Sequence, residues 1–504
     1  MSNTQIFVAS AGSGKTTRLM NELAEVLYDT PPDRIIYTTY TNAAAGEAVA
    51  RASEQFKMDS FSFPYFRTLH SLCVRNTRRA SMMTYLDYRE FGKHVGFAVS
   101  GQSSMSNRDG VLMGSASRGD RLLTLDNLRR NRMCSYEEVC NQQLQKAEAP
   151  NTLKFFSESY ANYKASLGKI DFTDQLERFL AAGEPLNVDY LFGDEAQDFS
   201  KLQWSVMDLL AKPVKKVFLA GDDKQAIYEF SGGCPDALIN RVGNRIVLDK
   251  CYRLPTRVLD FAEKVAARIK TKTPYEIVSV REGGMVSEIR SLAGLPLREG
   301  TWLLLARNRC FLEVYEKELI SMGLVFKSIS NDTIPANLIP AVRTWKTLMS
   351  GGVALASEVK ILYDNYLPSG SRVTRGFKKS LKLLDDDELL EYEGLRDQYG
   401  LLCDLPWDLA LNIPEKLKRY LKVAETQGTL ETAGTIEVTT IHSTKGREAD
   451  NVVVLPDMAQ STWRGFEQNP DTEHRTFYVA CTRARENLYL MQAVSNLYYN
   501  YPQK

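Results

Sequence analysis

The chain has no cysteine pair spaced as CxxC, no run of eighteen apolar residues, no basic leader and almost no net charge. Each absence removes a class of protein. Eight scattered cysteines, among them Cys73, Cys134, Cys234, Cys310 and Cys403, argue against a zinc site, an iron–sulfur cluster or a secreted disulfide frame, and read as reduced, mostly buried thiols. The opening MSNTQIFVAS has no basic flank leading into an apolar core, so neither export nor membrane insertion is expected, and the protein should be cytoplasmic, or nuclear in a eukaryote. Lys plus Arg number 63 against 62 Asp plus Glu, so bulk charge gives no argument for nucleic acid and any groove for it has to be local. There is no internal repeat and no low-complexity tract. What remains is 504 residues at 44% apolar, enough for two to four ordinary globular domains.

Three segments carry chemistry. The apolar strand Ile6-Phe7-Val8 runs into Ala9-Ser10-Ala11-Gly12-Ser13-Gly14-Lys15-Thr16-Thr17 and then a helical pattern through Leu19, Met20, Leu23 and Leu27. Small residues let consecutive backbone N–H groups turn inward around phosphates, Lys15 supplies a point charge, and the Thr16 hydroxyl suits Mg²⁺. Ala9 stands where the strict pattern has glycine, and alone this segment licenses only a nucleotide site. After the strand Tyr190-Leu191-Phe192, the run Asp194-Glu195-Ala196-Gln197-Asp198 puts acids at a strand's C-terminal end, where open α/β sheets bind ligands. Asp194 is expected to hold Mg²⁺ and Glu195 to deprotonate the attacking water; a helix-capping acid pair is the bland alternative. After Val217-Phe218-Leu219-Ala220 comes Gly221-Asp222-Asp223-Lys224-Gln225-Ala226-Ile227-Tyr228-Glu229-Phe230. There Gln225 can sense a γ-phosphate while Tyr228 and Phe230 offer faces on which bases stack, or else it is a surface loop with two core aromatics.

With these segments in this order, the chain resembles the UvrD/Rep-like superfamily 1 DNA helicases. The resemblance implies an α/β P-loop NTPase fold of two RecA-like parallel-sheet lobes, each interrupted by a mainly helical insertion. It extends to Tyr37-Thr38-Thr39-Tyr40-Thr41-Asn42-Ala43-Ala44-Ala45 and to Phe66-Arg67-Thr68-Leu69-His70-Ser71-Leu72, the latter similar to the family's TxHS strand. By that likeness Tyr40, Thr41, Asn42, Thr68 and His70 are expected to contact DNA. In the second lobe Cys251-Tyr252-Arg253 resembles the family's NYRS, which implies that Tyr252 stacks on adenine and Arg253 reaches the γ-phosphate. Trp302-Leu303-Leu304-Leu305-Ala306-Arg307 resembles the buried strand that follows, with Arg307 a weaker candidate. Val438 to Glu448 resembles TxHxxKGLE, with His442 bordering DNA, Glu448 facing the ribose and Arg447 in place of the usual leucine. Arg475 to Ala484 matches the YVAxTRA helix and implies Arg483 as the second arginine on ATP. Implied cofactors are ATP and Mg²⁺. The implied motion is closure of the lobes on ATP, stepping along one strand in the family's 3′ to 5′ direction.

The same likeness divides the chain into a first lobe at 1–76 with 182–248, its helical insertion at 77–181, a second lobe at 249–330 with 430–504, and a small insertion at 331–429. The first insertion carries Arg75, Arg78, Arg79, Arg121, Arg129, Arg130 and Arg132 and the aromatics Phe155, Phe156, Tyr160 and Tyr163, which suit either phosphates or a solvated face over a core. Asp171-Phe172-Thr173-Asp174 resembles the family's DFxD, with no role assigned. Two departures stand out. The second insertion looks smaller than in relatives, so translocation is a safer expectation than unwinding, and no glutamine segment lies upstream of the P-loop to read adenine. The short stretch after Arg483 disfavours a fused nuclease. Expected partners are single-stranded DNA and single-strand/duplex junctions, without a membrane; protein partners are not legible and a monomer is compatible with the sequence. The rival is a nucleotide-gated single-strand-binding clamp or recruitment factor, against which Lys15, Glu195, Gln225, Arg253 and Arg483 together count. A small-molecule P-loop kinase would need an acceptor site that the sequence does not offer.

Overall fold

A computed structural model describes residues 3–77, 79–101, 117–141, 148–329, 335, 337–430 and 435–503. Arg78 of the basic cluster lies outside them. The chain forms two compact units, 1–288 with 441–504, and 289–440.

The first unit is built on a parallel sheet whose strands lie in the order Phe66–Arg67, Ile35–Thr38, Tyr190–Gly193, Lys216–Gly221, Thr4–Ala9 and Asn244–Leu248. Alternation along each strand feeds two cores. Ile6 and Val8 pack with Ile36, Leu191, Val217, Leu219 and Trp204 on one face. Phe7 packs with Leu19, Leu23, Tyr37, Phe192 and Phe218 on the other. Both faces are covered, which is why these strands read as continuous apolar runs. Because all six run parallel, Ala9, Gly193 and Gly221 end on one edge, and the loops that follow them converge there. Two further parallel pairs belong to this unit, Lys250–Pro255 with Val278–Arg281 and Ala449–Leu455 with Ala484–Met491.

The strand expected over 66–72 stops at Arg67. Thr68 turns the chain into the helix Leu69–Arg75, its hydroxyl accepting from the Ser71 amide at 3.4 Å while Leu69, Leu72 and Cys73 enter the core. A threonine before apolar residues at helical spacing is a start signal as much as a strand residue, and here the cap wins.

Helices Tyr85–Val95, Arg118–Arg132, Tyr136–Asn141 and Pro150–Leu167 form the insertion around Phe91, Leu122, Leu125, Phe156 and Tyr160. It leaves and rejoins the lobe beside the short parallel pair Ser81–Met82 and Lys169–Ile170. Of its aromatic stripe, Phe156 and Tyr160 are core and Phe155 is exposed. Several of its arginines are engaged by protein groups: Arg121 pairs with Glu148, Arg129 with Asp126, and Arg132 Nη2 donates to the Glu229 carbonyl at 2.8 Å. Arg130 and Lys164, both buried, share Asp171 at 2.7 and 2.6 Å. Asp171 and Asp174 also form the capping box of helix Phe172–Ala182, so DFxD is a helix start clamped by two buried cations.

In the second unit, the buried strand Trp302–Ala306 pairs in parallel with Ile436–Thr440, which also pairs with Lys327–Ser328. Its helical part packs around Trp345, Leu362, Tyr363, Trp407, Tyr420 and Leu421 and carries one antiparallel pair, Val353–Leu355 with Leu389–Glu391. The helix expected through Leu417 and Leu421 spans Glu415–Thr426. Among the described residues, no helix is long and apolar enough to cross a membrane.

Candidate functional site

The loop between Ala9 and the helix Lys15–Leu27 needs two left-handed glycines, Gly12 at φ 72° and Gly14 at φ 79°. A β-carbon on Gly12 would also fall 2.3 Å from that of Arg253, so the position excludes any side chain. Inside the loop, Ser13 Oγ and Lys15 Nζ both donate to the Ser10 carbonyl, at 2.7 and 3.3 Å. Ser10 Oγ meets the Tyr478 hydroxyl at 2.7 Å, and Ala9 and Ala11 are buried beneath while Thr17 is exposed. Lys15 is itself buried, a cation held where polyphosphate would replace its carbonyl partner.

Opposite the loop, Asp194 Oδ2 accepts from Thr16 Oγ1 at 2.9 Å and from the Tyr37 hydroxyl at 3.1 Å. Burial, and then the neighbouring Glu195, push the Asp194 carboxyl up from its ordinary value. A buried carboxylate whose charge is unfavourable, touching a threonine hydroxyl at the foot of a phosphate loop, fits the donor set of Mg²⁺. Glu195 has the reverse environment. Burial would raise its carboxyl, but Lys15 and then Lys445 outweigh it and hold the group below its ordinary value. Its backbone is left-handed at φ 53°, which for a non-glycine residue stores strain at the turn that aims it.

The third loop closes the site. Gln225 Nε2 donates to Asp222 at 2.7 Å, and Gln225 Oε1 accepts from Arg483 Nη2 at 2.8 Å. Arg483 is 1% exposed; burial, then Arg253, lower it to about 9, so it keeps its charge at neutral pH. Arg253 is ion-paired with Glu448. The Tyr252 amide donates to the Gly12 carbonyl at 2.9 Å, leaving a phenol ring that is 59% exposed beside the loop.

From Gln225 the chain runs directly into a row of aromatic rings. Tyr228 stacks on Tyr40 at 5.0 Å and lies 6.0 Å from Phe230, which meets His442 edge-on at 5.7 Å. Nearby, Thr41 caps the helix Asn42–Phe56, Asn42 accepts from Thr68 at 3.4 Å, and His70 stacks on Phe172 at 4.0 Å. Thr41 and Asn42 are exposed, Thr68 is buried, and burial lowers His70 to about 4, a neutral ring.

Residues 1–242 match the UvrD/REP helicase N-terminal domain, and residues 386–495 match the UvrD-like helicase C-terminal domain. The chain belongs to the UvrD/Rep helicase family. It is 26% identical over 367 residues to a probable DNA helicase II homolog of Mycoplasma capricolum, an alignment covering 64% of this chain and 49% of the relative. It is 26% identical over 302 residues to the ATP-dependent DNA helicase PcrA of Leuconostoc citreum, covering 54% and 38%. With PcrA of Staphylococcus aureus it is 21% identical over 619 residues, covering 99% and 82%. The first two alignments thus span less than half of those relatives' own length.

In this UvrD/Rep-family chain the residues expected at the nucleotide, Lys15, Thr16, Asp194, Glu195, Gln225, Tyr252, Arg253, Glu448 and Arg483, fall within one compact unit, as do Tyr40, Tyr228, Phe230 and His442. Arg307 lies in the other unit, buried at the end of its strand. Two residues escaped the sequence reading. Lys445 is ion-paired with Asp198, donates to the Gln225 carbonyl at 2.8 Å, and sits 5.2 Å over the Tyr228 ring. Phe172, 48% exposed, extends the ring system at His70. Each lies inside a quoted motif, so the signal was its membership there, without a partner to give it a role.

Proposed function

We propose that the chain is an ATP-dependent DNA helicase or translocase that moves 3′ to 5′ on single-stranded DNA. The observation that carries this reading is Gln225. Its amide is shared between Asp222 and Arg483 on the nucleotide side, and three residues on its own segment becomes the Tyr40–Tyr228–Phe230 row. A change in the amide's partners is therefore a change in the anchor of the stacking loop.

The chemistry follows from the same groups. Backbone amides of Ala9 to Thr17 cradle the triphosphate, Lys15 exchanges the Ser10 carbonyl for phosphate oxygen, and Thr16 with Asp194 would hold Mg²⁺. The cation, when bound, neutralises charge on the β- and γ-phosphates. Water adds to the γ-phosphorus as the bond to the bridging oxygen breaks, and the ionised Glu195 carboxylate takes the water's proton. Arg483 and Arg253 supply positive charge to the transition state, Tyr252 stacks on the base and Glu448 faces the ribose. On the DNA side, rings accept any base by their faces while Thr41, Asn42, Thr68, His70 and His442 border the strand. Residues 1–76 with 182–248 act as one lobe and 249–330 with 430–504 as the other, stepping as the ATP cleft closes and opens.

The test is the ATPase rate with and without single-stranded DNA, beside single-stranded RNA and a Lys15→Ala control. Strong stimulation by DNA, absent in the control, supports the motor. Hydrolysis that ignores DNA overturns it in favour of a nucleotide-gated clamp.

A further inference from the structure

The helix Pro470–Cys481 carries one arginine, Arg475, whose hydrogen bonds go to groups outside the phosphate loop. Arg475 is 2% exposed. Its Nε donates to the Asp223 carbonyl at 3.0 Å, its Nη2 to the Thr271 carbonyl at 2.7 Å, and its Nη1 to the Glu229 carboxylate at 2.6 Å. Glu229 lies between Tyr228 and Phe230, and Asp223 opens the turn that holds Gln225. Just past the end of the same helix, Arg483 holds Gln225 itself. The helix and the turn that follows it thus grip the segment 223–230 at its start through Asp223, at its middle through Gln225 and at its aromatic end through Glu229.

Burying a guanidinium is costly unless every donor finds an acceptor, and only a planar fork meets a carboxylate and two carbonyls from different directions. A lysine would reach fewer of them. The Glu229 carbonyl is held separately by Arg132, so the fork is not needed merely to keep that turn of chain in place.

We propose that Arg475 is a positioning residue that couples nucleotide occupancy to strand binding, by fixing the Tyr228–Phe230 loop to the helix that leads into Arg483. The inference rests on the helicase reading above. Such coupling is a ratio of affinities and acts equally in both directions.

The experiment uses the full chain. Affinity for a fluorescent oligo-dT is measured by anisotropy with and without a non-hydrolysable ATP analogue, and affinity for that analogue with and without oligo-dT, in the native protein, Arg475→Gln, Arg475→Lys and Glu229→Gln. The expected result is a coupling factor of about tenfold in the native protein that falls toward one in Arg475→Gln and Glu229→Gln, with partial rescue by Arg475→Lys. Affinity for the analogue alone should stay within about threefold, a split that loss of structure would not produce. Should Arg475→Gln fail to fold, Glu229→Gln decides. A native coupling factor kept by the folded variants overturns the inference and leaves the motor reading standing. A native protein that does not bind oligo-dT overturns both.

Discussion

The two halves of the site are held in opposite ways. Around the phosphate loop the polar groups are tied to one another by hydrogen bonds, from Ser10 on Tyr478 through Thr16 on Asp194 to Gln225 between Asp222 and Arg483. The row from Tyr40 to His442 is held mainly by ring faces and edges, with one hydroxyl contact from Tyr40 to Ser231 at 3.1 Å, and Tyr228 and Phe230 are left partly open to solvent. Phosphoryl transfer places charge at fixed points and rewards preorganised donors. A strand that must be held at any sequence and then released is better served by flat surfaces, which discriminate little and leave few bonds to break.

On that contrast, the largest losses come from the phosphate-loop side. Arg483→Ala should lower turnover about 10³-fold. Glu195→Gln should lower it about 10²-fold or more while ATP and DNA still bind. Single-turnover hydrolysis checks both, and normal turnover in Glu195→Gln would remove the base from the scheme. Next comes the clamp under Phe172, where Arg130→Met leaves Asp171 and Asp174 short of a cation and should destabilise the chain by about 3 kcal/mol in urea unfolding. The stacking side follows. Phe230→Ala should weaken oligo-dT binding by about 1–3 kcal/mol while hydrolysis persists with weak DNA stimulation. Full stimulation in that variant would break the comparison.

The smallest effect is in pH. Burial raises the Asp198 carboxyl to about 7 even though Lys445 lowers it. Below that pH Asp198 is neutral and Lys445 is left with Glu195, at 4.0 Å, as its carboxylate partner; above it the Asp198 pair is intact. DNA stimulation should therefore fall a few-fold as pH drops through about 7, and Asp198→Asn should flatten the profile. An unchanged profile in that variant would sever Lys445 from the coupling.

What the sequence made legible was whatever lies contiguous in the chain. The phosphate loop, the acids after Phe192 and the Gln225 turn each follow an apolar strand, and a parallel sheet brings such strand ends to one edge. Thr68 was misread because a capping threonine and a strand threonine look alike until Leu69, Leu72 and Cys73 are seen to share a helical face. Lys445 with Asp198, and Arg475 with Glu229, were illegible for a different reason. Each pair spans more than two hundred residues, and no local pattern names a partner at that distance.

The sheet's connectivity also bears on how the chain comes to be folded. The strand Thr4–Ala9 is made long before its neighbours in the sheet, Lys216–Gly221 and Asn244–Leu248. At a synthesis rate of about 5–20 residues per second, Ile6, Phe7 and Val8 emerge roughly 10–40 s before the partners that will cover them. The nascent phosphate loop is tethered to an unpaired apolar strand throughout that interval, so Ile6, Phe7 and Val8 need shelter until residues 216–248 have been made.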